Sequence, residues 1–178
     1  DSVDSITNLF EQSASHSRAF FGRVVTRLEL GRTRRAEGEL VRRFAHTLVT
    51  ADEDRNRLVE LARPAEARVS TLPNGVDLMR FRPDWSAREA DTLIFSGKLS
   101  YHANDTAARH LLEDIVPRVW AQRPLARLRL VGQNPGAALR RLAGRAAGPV
   151  ELTGQVREMS RELNRASVAV APMVYAAG

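Results

Sequence analysis

Cysteine is absent from the 178-residue chain. That excludes disulfides, thiolate zinc sites and thiol nucleophiles, and it fits a reducing cytoplasm. Lysine is almost absent too: Lys98 is the only one, and the rest of the 27 basic residues are arginine. Aromatic residues make up 6% and do not interleave with the arginines, so stacking platforms for nucleic acid are poorly supplied. No apolar run reaches the roughly 18 residues that a membrane-spanning helix needs. The chain opens on Asp1 without a Met and without a charged-then-apolar leader. Both of its ends are expected to be cuts within a longer protein. Four motifs are also missing: G-x-x-x-x-G-K-[ST], G-x-S-x-G, H-E-x-x-H and G-x-G-x-x-G. A Ser–His triad therefore has no support, and no catalytic residue can be assigned.

What is present is a soluble composition, 43% hydrophobic and 27% charged, with a net charge of +6. The positive balance favours anionic partners, but the arginines are scattered, and only Arg32, Arg34 and Arg35 cluster. Glu29, Glu37 and Glu39 dilute the field of that stretch. A solvated helix face is the expected setting, and no nucleic-acid partner is expected.

Two helical stretches come first. Val3, Ile6, Leu9 and Phe10 space a helix over 3–15, and a longer one runs over 17–45, where Gly31 and Gly38 predict a break. The period then changes. Residues 47–50 read as a strand, and Asp52 is placed to cap a helix burying Leu58, Val59 and Leu61. Residues 68–72 read as a second strand, followed by a turn at Pro73-Asn74-Gly75. Residues 81–91 are polar and read as a linker. Strands over 92–96, 127–131, 150–153 and 168–171 then alternate with helices over 104–122, 136–146 and 158–166. Nearly continuous apolar strands in that rhythm predict a parallel, doubly wound sheet. In such a sheet ligands bind beyond the carboxyl ends of the strands.

Those ends carry the candidate site. Gly97, Gly132 and Gly154 each follow an apolar strand directly, where a missing side chain lets a ligand approach the main chain. A helix N-terminus beyond each offers free amides suited to phosphate. Lys98 supplies a point charge for a diphosphate, and His102 is a candidate phosphate contact. Pro172 ends the last strand on the same edge as Gly132. His102 and His110 lack the four-residue spacing of a helical metal pair, and no third ligand accompanies them, so no metal is expected. Asp52, Glu53 and Asp54 sit at a helix start, where they are expected to stabilise the dipole rather than catalyse.

Taken in order, these segments resemble the retaining glycosyltransferases of GT-B architecture, family 4, also called group 1. Leu72-Pro73-Asn74-Gly75-Val76-Asp77 followed by Phe81 resembles the family's junction between its two domains. Ile94-Phe95-Ser96-Gly97-Lys98-Leu99 resembles the first strand of the nucleotide-sugar domain. Leu130-Val131-Gly132, Leu152-Thr153-Gly154-Gln155-Val156 and Val168-Ala169-Val170-Ala171-Pro172 resemble its later strands. The resemblance implies an α/β fold of two Rossmann-like doubly wound domains, both incomplete here. Residues 1–80 would be the end of the acceptor-side domain and 92–178 the first half of the donor domain.

It implies transfer of a sugar from a UDP- or GDP-linked donor to a glycan or lipid-linked acceptor, with retention and no cofactor besides the donor. The setting would be cell-surface polysaccharide or glycolipid synthesis, cytoplasmic or peripheral at the inner face of the membrane. Gly97 and Lys98 would face the diphosphate, and Gln155, Val156 and Arg157, after Gly154, would lie near the nucleobase. The family's second diphosphate cation falls at Ala103-Asn104, so that contact is missing. Its first donor-sugar glutamate falls near Ala176 and its second beyond Gly178. The fragment is therefore expected to be inactive alone. Two other readings stay open: a non-catalytic nucleotide-binding module, and an arginine-rich protein that binds nucleic acid or an acidic membrane.

Overall fold

The computed structural model describes residues 5–7, 11, 20–62 and 68–175. They fall into two compact units divided between Gly75 and Val76. Apart from 5–7 and 11, the helix expected over 3–15 lies outside the described residues.

In the first unit, α1 (Phe20–Arg43) is followed by β1 (Thr47–Val49), α2 (Asp52–Ala62) and β2 (Val69–Thr71). β1 and β2 pair in parallel, Thr47 opposite Val69 and Val49 opposite Thr71. A parallel pair needs a crossover, and α2 supplies it. Val41, Val49, Leu58, Ala62 and Val69 form the core. The break expected at Gly31 and Gly38 does not occur, since α1 runs unbroken for 24 residues. Gly38 has a different use: a Cβ there would lie 2.4 Å from the Leu61 carbonyl oxygen, so the missing side chain lets α1 and α2 touch backbone to backbone.

Asp52 lies within the first turn of α2 rather than before it, and its carboxylate accepts the Thr71 hydroxyl hydrogen bond. The turn expected at Pro73-Asn74-Gly75 is not formed. Those residues have no turn geometry and no positive φ. The chain turns instead at 78–80, where the Asp77 carboxylate accepts from the Met79 and Arg80 amides at 2.9 and 3.1 Å.

The second unit holds a four-stranded sheet. Its elements are β3 (Thr92–Ser96), α3 (His102–His110), α4 (Val116–Gln122), β4 (Arg127–Val131), α5 (Ala137–Gly144), β5 (Val150–Gly154), α6 (Met159–Arg165) and β6 (Val168–Ala169). The order is β5-β4-β3-β6, and every pair is parallel. The chain steps outward from β3 to β5 and then returns past β3 to place β6. That reversal makes the β3/β6 boundary a topological switch point.

The two faces are covered by different helices. Phe95, Leu128 and Leu130 pack with Leu99, Leu111, Val116, Trp120 and Leu139 from the α3, α4 and α5 side. Ile94 and Val131 pack with Met159, Leu163 and Ala166 of α6 and its end. Alternate residues of one strand thus face opposite layers, as a doubly wound sheet requires. The single helix expected over 104–122 begins at His102, and residues Leu111–Ile115 widen to a π-helix. Pro117 explains the widening, because its ring cannot donate to residue 113 and clashes with that carbonyl. The Val116 amide reaches back to the Leu111 carbonyl instead.

Residues 81–91, expected as a linker, carry a short 3-10 turn, Trp85–Ala87, that is hydrogen-bonded onto α6. The Asp84 amide donates to Asn164 Oδ1 at 3.1 Å, Asn164 Nδ2 donates to the Arg82 carbonyl at 3.0 Å, and the Glu89 amide donates to the Arg165 carbonyl at 2.8 Å. Among the described residues, no helix is long and apolar enough to cross a membrane.

Candidate functional site

Parallel strands of similar length end together, and β3, β4 and β5 each run into a glycine, Gly97, Gly132 and Gly154. The Gly97 amide donates to the Val131 carbonyl at 3.0 Å, and the Gly132 amide donates to the Gly154 carbonyl at 3.1 Å. The three tips are therefore neighbours across β3, β4 and β5. The middle one is the tightest: a Cβ at Gly132 would lie 1.8 Å from the Gly97 carbonyl oxygen. Gly154 has φ +69°, a left-handed conformation that glycine adopts without penalty. It turns the chain out of β5 into the 155–158 loop.

Beyond β3, the Tyr101 amide donates to the Lys98 carbonyl at 2.9 Å, and α3 begins at once. Neither Tyr101 before α3 nor Gly136 before α5 caps its helix with a side chain. Two helix N-termini thus meet the same sheet edge with their first amides uncapped, which is an electropositive arrangement suited to an anion.

The expected side chains are placed as follows. Lys98 is exposed and forms no ion pair among the described residues. His102 opens α3 and lies against the Tyr101 ring, centroids 4.5 Å apart. Gln155 and Arg157 are exposed, while Val156 tucks into the α6-side cluster. Pro172 follows β6, whose neighbour is β3, so it shares the edge. The structure joins Gly97, Gly132 and Gly154 directly. Gln155, Arg157 and Pro172 form no ion pair among the described residues.

Two features were not anticipated. Asn104 lies over Gly97: a Cβ on that glycine would sit 2.8 Å from Asn104 Nδ2, which itself donates to the Lys98 carbonyl at 3.2 Å. Its neighbour Ala103 is buried in the core. A polar residue on the first turn after a glycine-ended strand was the available signal. The second feature corrects the expectation of apolar strands. Arg129, in the middle of β4, is 4% exposed. Its Nε lies 2.8 Å from Glu151 on β5, and its Nη2 lies 2.5 Å from Glu162 on α6. The hydrogen bond from Arg129 holds the Glu151 carboxyl below its ordinary range, and the hydrogen bond to Glu151 raises Arg129 further.

Hollows occur away from this edge. One of about 160 Å³ is lined by Phe81, Trp85, Arg88, Ser160 and Leu163. The Arg88 guanidinium stacks 4.5 Å over the Trp85 ring there. Because α6 runs antiparallel to the strands, its last turn puts that hollow at their amino ends. In the first unit, Leu40, Phe44 and Leu48 line an apolar hollow of about 330 Å³. Neither has the two helix N-termini that meet the glycine edge. No group of three His, Cys, Asp or Glu residues could hold a metal ion among the described residues.

The arginine cluster on α1 is partly neutralised. Arg32 lies 3.8 Å from Glu29, and Arg34 lies 2.5 Å from Glu11. These pairs lie on an exposed helix face.

A family model described as glycosyl transferases, group 1, matches residues 90–178. The match begins just before β3 and takes in the whole glycine-tipped edge. No curated protein matches the chain.

Proposed function

The chain belongs to the group 1 glycosyl transferases, and from that premise we propose that the glycine edge of its second unit receives the diphosphate of a nucleotide-sugar donor. The observation that carries the reading is the adjacency of Gly97, Gly132 and Gly154 beside two uncapped helix N-termini, at the switch point of a parallel sheet. A diphosphate seated there gains from both helix dipoles and their first-turn amides, since the Gly97 and Gly132 amides are held in the strand ladder. Lys98 adds a full charge at its rim, and His102 opens the helix next to it.

The chemistry asked of such a site is electrostatic. Departure of the sugar leaves negative charge on the diphosphate, and preorganised donors aimed at that charge lower the barrier. The second fixed cation expected beside this edge is replaced by Ala103-Asn104. Asn104 lends its amide to the Lys98 carbonyl instead, so it shapes the loop rather than adding charge. Gly154 directs the 155–158 loop outward, where Gln155, Val156 and Arg157 are the groups a nucleobase would meet. The reaction is sugar transfer to an acceptor hydroxyl with retention, in cell-surface polysaccharide or glycolipid synthesis, on the cytoplasmic side of a membrane.

Calorimetric titration with UDP and GDP tests the proposal. One nucleoside diphosphate is expected to bind saturably, and Lys98→Ala to weaken it about tenfold, or about 1.4 kcal/mol, with the difference shrinking in high salt. Saturable binding of DNA with no nucleotide binding would overturn it in favour of a polyanion surface.

A further inference from the structure

The placement of Arg129 is costly, because a buried charge is retained where an apolar side chain of similar volume would do as well or better for stability. The cost is compounded by its Nη1, which is buried without a hydrogen-bond partner. What Arg129 holds is informative. Glu151 lies on β5, three residues before Gly154. Glu162 lies on α6, three residues after its first residue, Met159. Everything between them is the strand tip, the 155–158 loop and the helix start. One guanidinium therefore grips both flanks of that loop from below.

α6 is held from its other end as well. Arg165 Nε lies 2.6 Å from Glu89, and Arg165 Nη1 lies 3.7 Å from Glu162. The charges thus run Glu151, Arg129, Glu162, Arg165, Glu89 along the sheet face under α6. Val156 is the loop's only apolar anchor into the layer, packed with Ile94, Val131 and Leu163.

We infer that Arg129 is a positioning residue that fixes the 155–158 loop and so sets how the second unit discriminates the base of a bound nucleotide. The inference rests on the proposed donor site. Arg129 touches no ligand and acts through the two carboxylates. The glycine edge does not need it, because Gly97 and Gly132 are held by the ladder itself. Loss of the clamp should therefore loosen base recognition and leave diphosphate recognition intact.

Removing Arg129 alone would leave the half-buried Glu162 with only the longer 3.7 Å contact to Arg165, so the informative variant is the double replacement Arg129→Met with Glu162→Leu, which refills the layer with apolar volume. Arg129→Lys is its companion, since a single ammonium cannot bridge two carboxylates in a fixed fork. Hydrogen exchange and calorimetry with UDP, GDP and pyrophosphate are measured on the unaltered chain and both variants. In the double variant, amides 155–158 are expected to exchange at least about tenfold faster while those of β3 keep their protection. The preferred nucleoside diphosphate should weaken about tenfold and pyrophosphate should not change. The lysine variant should fall between.

Unchanged exchange at 155–158 in a folded double variant overturns the clamp. A parallel loss of nucleotide and pyrophosphate overturns its selectivity. If the unaltered chain binds neither nucleotide, the donor site fails and the discrimination role with it, while the exchange result still decides whether Arg129 holds the loop.

Discussion

Replacing Gly132 with alanine tests the geometry on which the site depends. The added Cβ would stand 1.8 Å from the Gly97 carbonyl oxygen, 2.9 Å from its carbon and 3.1 Å from Leu99 Cγ. Two of these atoms are backbone, so no rotamer change relieves the contact, and the ends of β3 and β4 must part by more than 1 Å. Parting them breaks the β3–β4 bond from Gly97 N to Val131 O, and pushing Gly132 toward β5 disrupts the bond from Gly132 N to Gly154 O; the two are 3.0 and 3.1 Å long. Each is worth about 1 kcal/mol net, and overpacking a well-filled layer adds about 1–3 kcal/mol. The expected loss is thus about 3–5 kcal/mol, a large share of the roughly 5–15 kcal/mol that a domain of this kind holds.

Equilibrium urea unfolding followed by tryptophan fluorescence is the assay. Both tryptophans, Trp85 and Trp120, belong to the second unit, so the signal reports that unit alone. With a slope of about 1.5 kcal/mol per molar, the midpoint should fall by at least about 2 M. Two replacements set the scale. Gly144→Ala has nothing within 4 Å of its Cβ and should leave the midpoint where it is or raise it slightly. Gly97→Ala meets only the mobile end of Asn104 and should lose about 1 kcal/mol, the worth of one hydrogen bond. If Gly132→Ala keeps the wild-type midpoint, the tips are not packed side by side, and the proposed crevice loses its physical basis.

In the first unit, Gly38→Ala should cost about 2–3 kcal/mol by forcing α1 off the Leu61 carbonyl, whereas Gly31→Ala, with open space around it, should gain up to about 1 kcal/mol in helix propensity; a thermal melt at 222 nm compares them, and equal melting temperatures would refute the contact. Glu151 titrates below the ordinary glutamate value because Arg129 donates to it, so its contribution is present above roughly pH 4.3 and is lost as pH falls through its lower folded value. Glu151→Gln should therefore lower the second unit's stability at pH 6–7 and converge on the unaltered chain in acid, which flattens the acid limb, as read from urea midpoints between pH 3 and pH 7; an unchanged acid slope would contradict the pairing.

The second unit was legible because buried parallel strands announce themselves as short apolar runs ending on glycine, and β3, β4 and β5 fall within a residue of the expected bounds. What was misread has a common cause: a residue's local preference was spent on a tertiary contact. Gly38 reads as a helix breaker, yet it serves α1 packing on α2. Pro73-Asn74-Gly75 reads as a turn, yet Asp77 caps the actual one through two amides. The helix expected over 104–122 runs through Pro117 only by widening to a π turn at Leu111–Ile115. Arg129 sits unremarked within a strand expected to be apolar, and its meaning appears only once the register sets it opposite Glu151. Asn104 lies seven residues after Gly97, but the non-helical residues 97–101 between them remove any periodicity that would connect the two.

These particulars bear on how the glycine edge should be argued. Each of its three glycines has a sufficient reason that involves no ligand: Gly132 avoids the Gly97 carbonyl, Gly97 makes room for Asn104, and Gly154 adopts a positive φ. Their identity alone therefore says little about binding, since a structural demand would place glycine there in any case. The packing leaves over two helix starts without N-cap side chains and a Lys98 with no ion pair among the described residues, on the one edge where the strand order reverses. Packing does not require any of those three, and an anion would satisfy all of them. Gly132→Ala reads the architecture and Lys98→Ala reads the ligand. A chain that loses stability with the first and keeps its nucleotide affinity with the second would have the fold of a sugar-donor site without Lys98 as its cation.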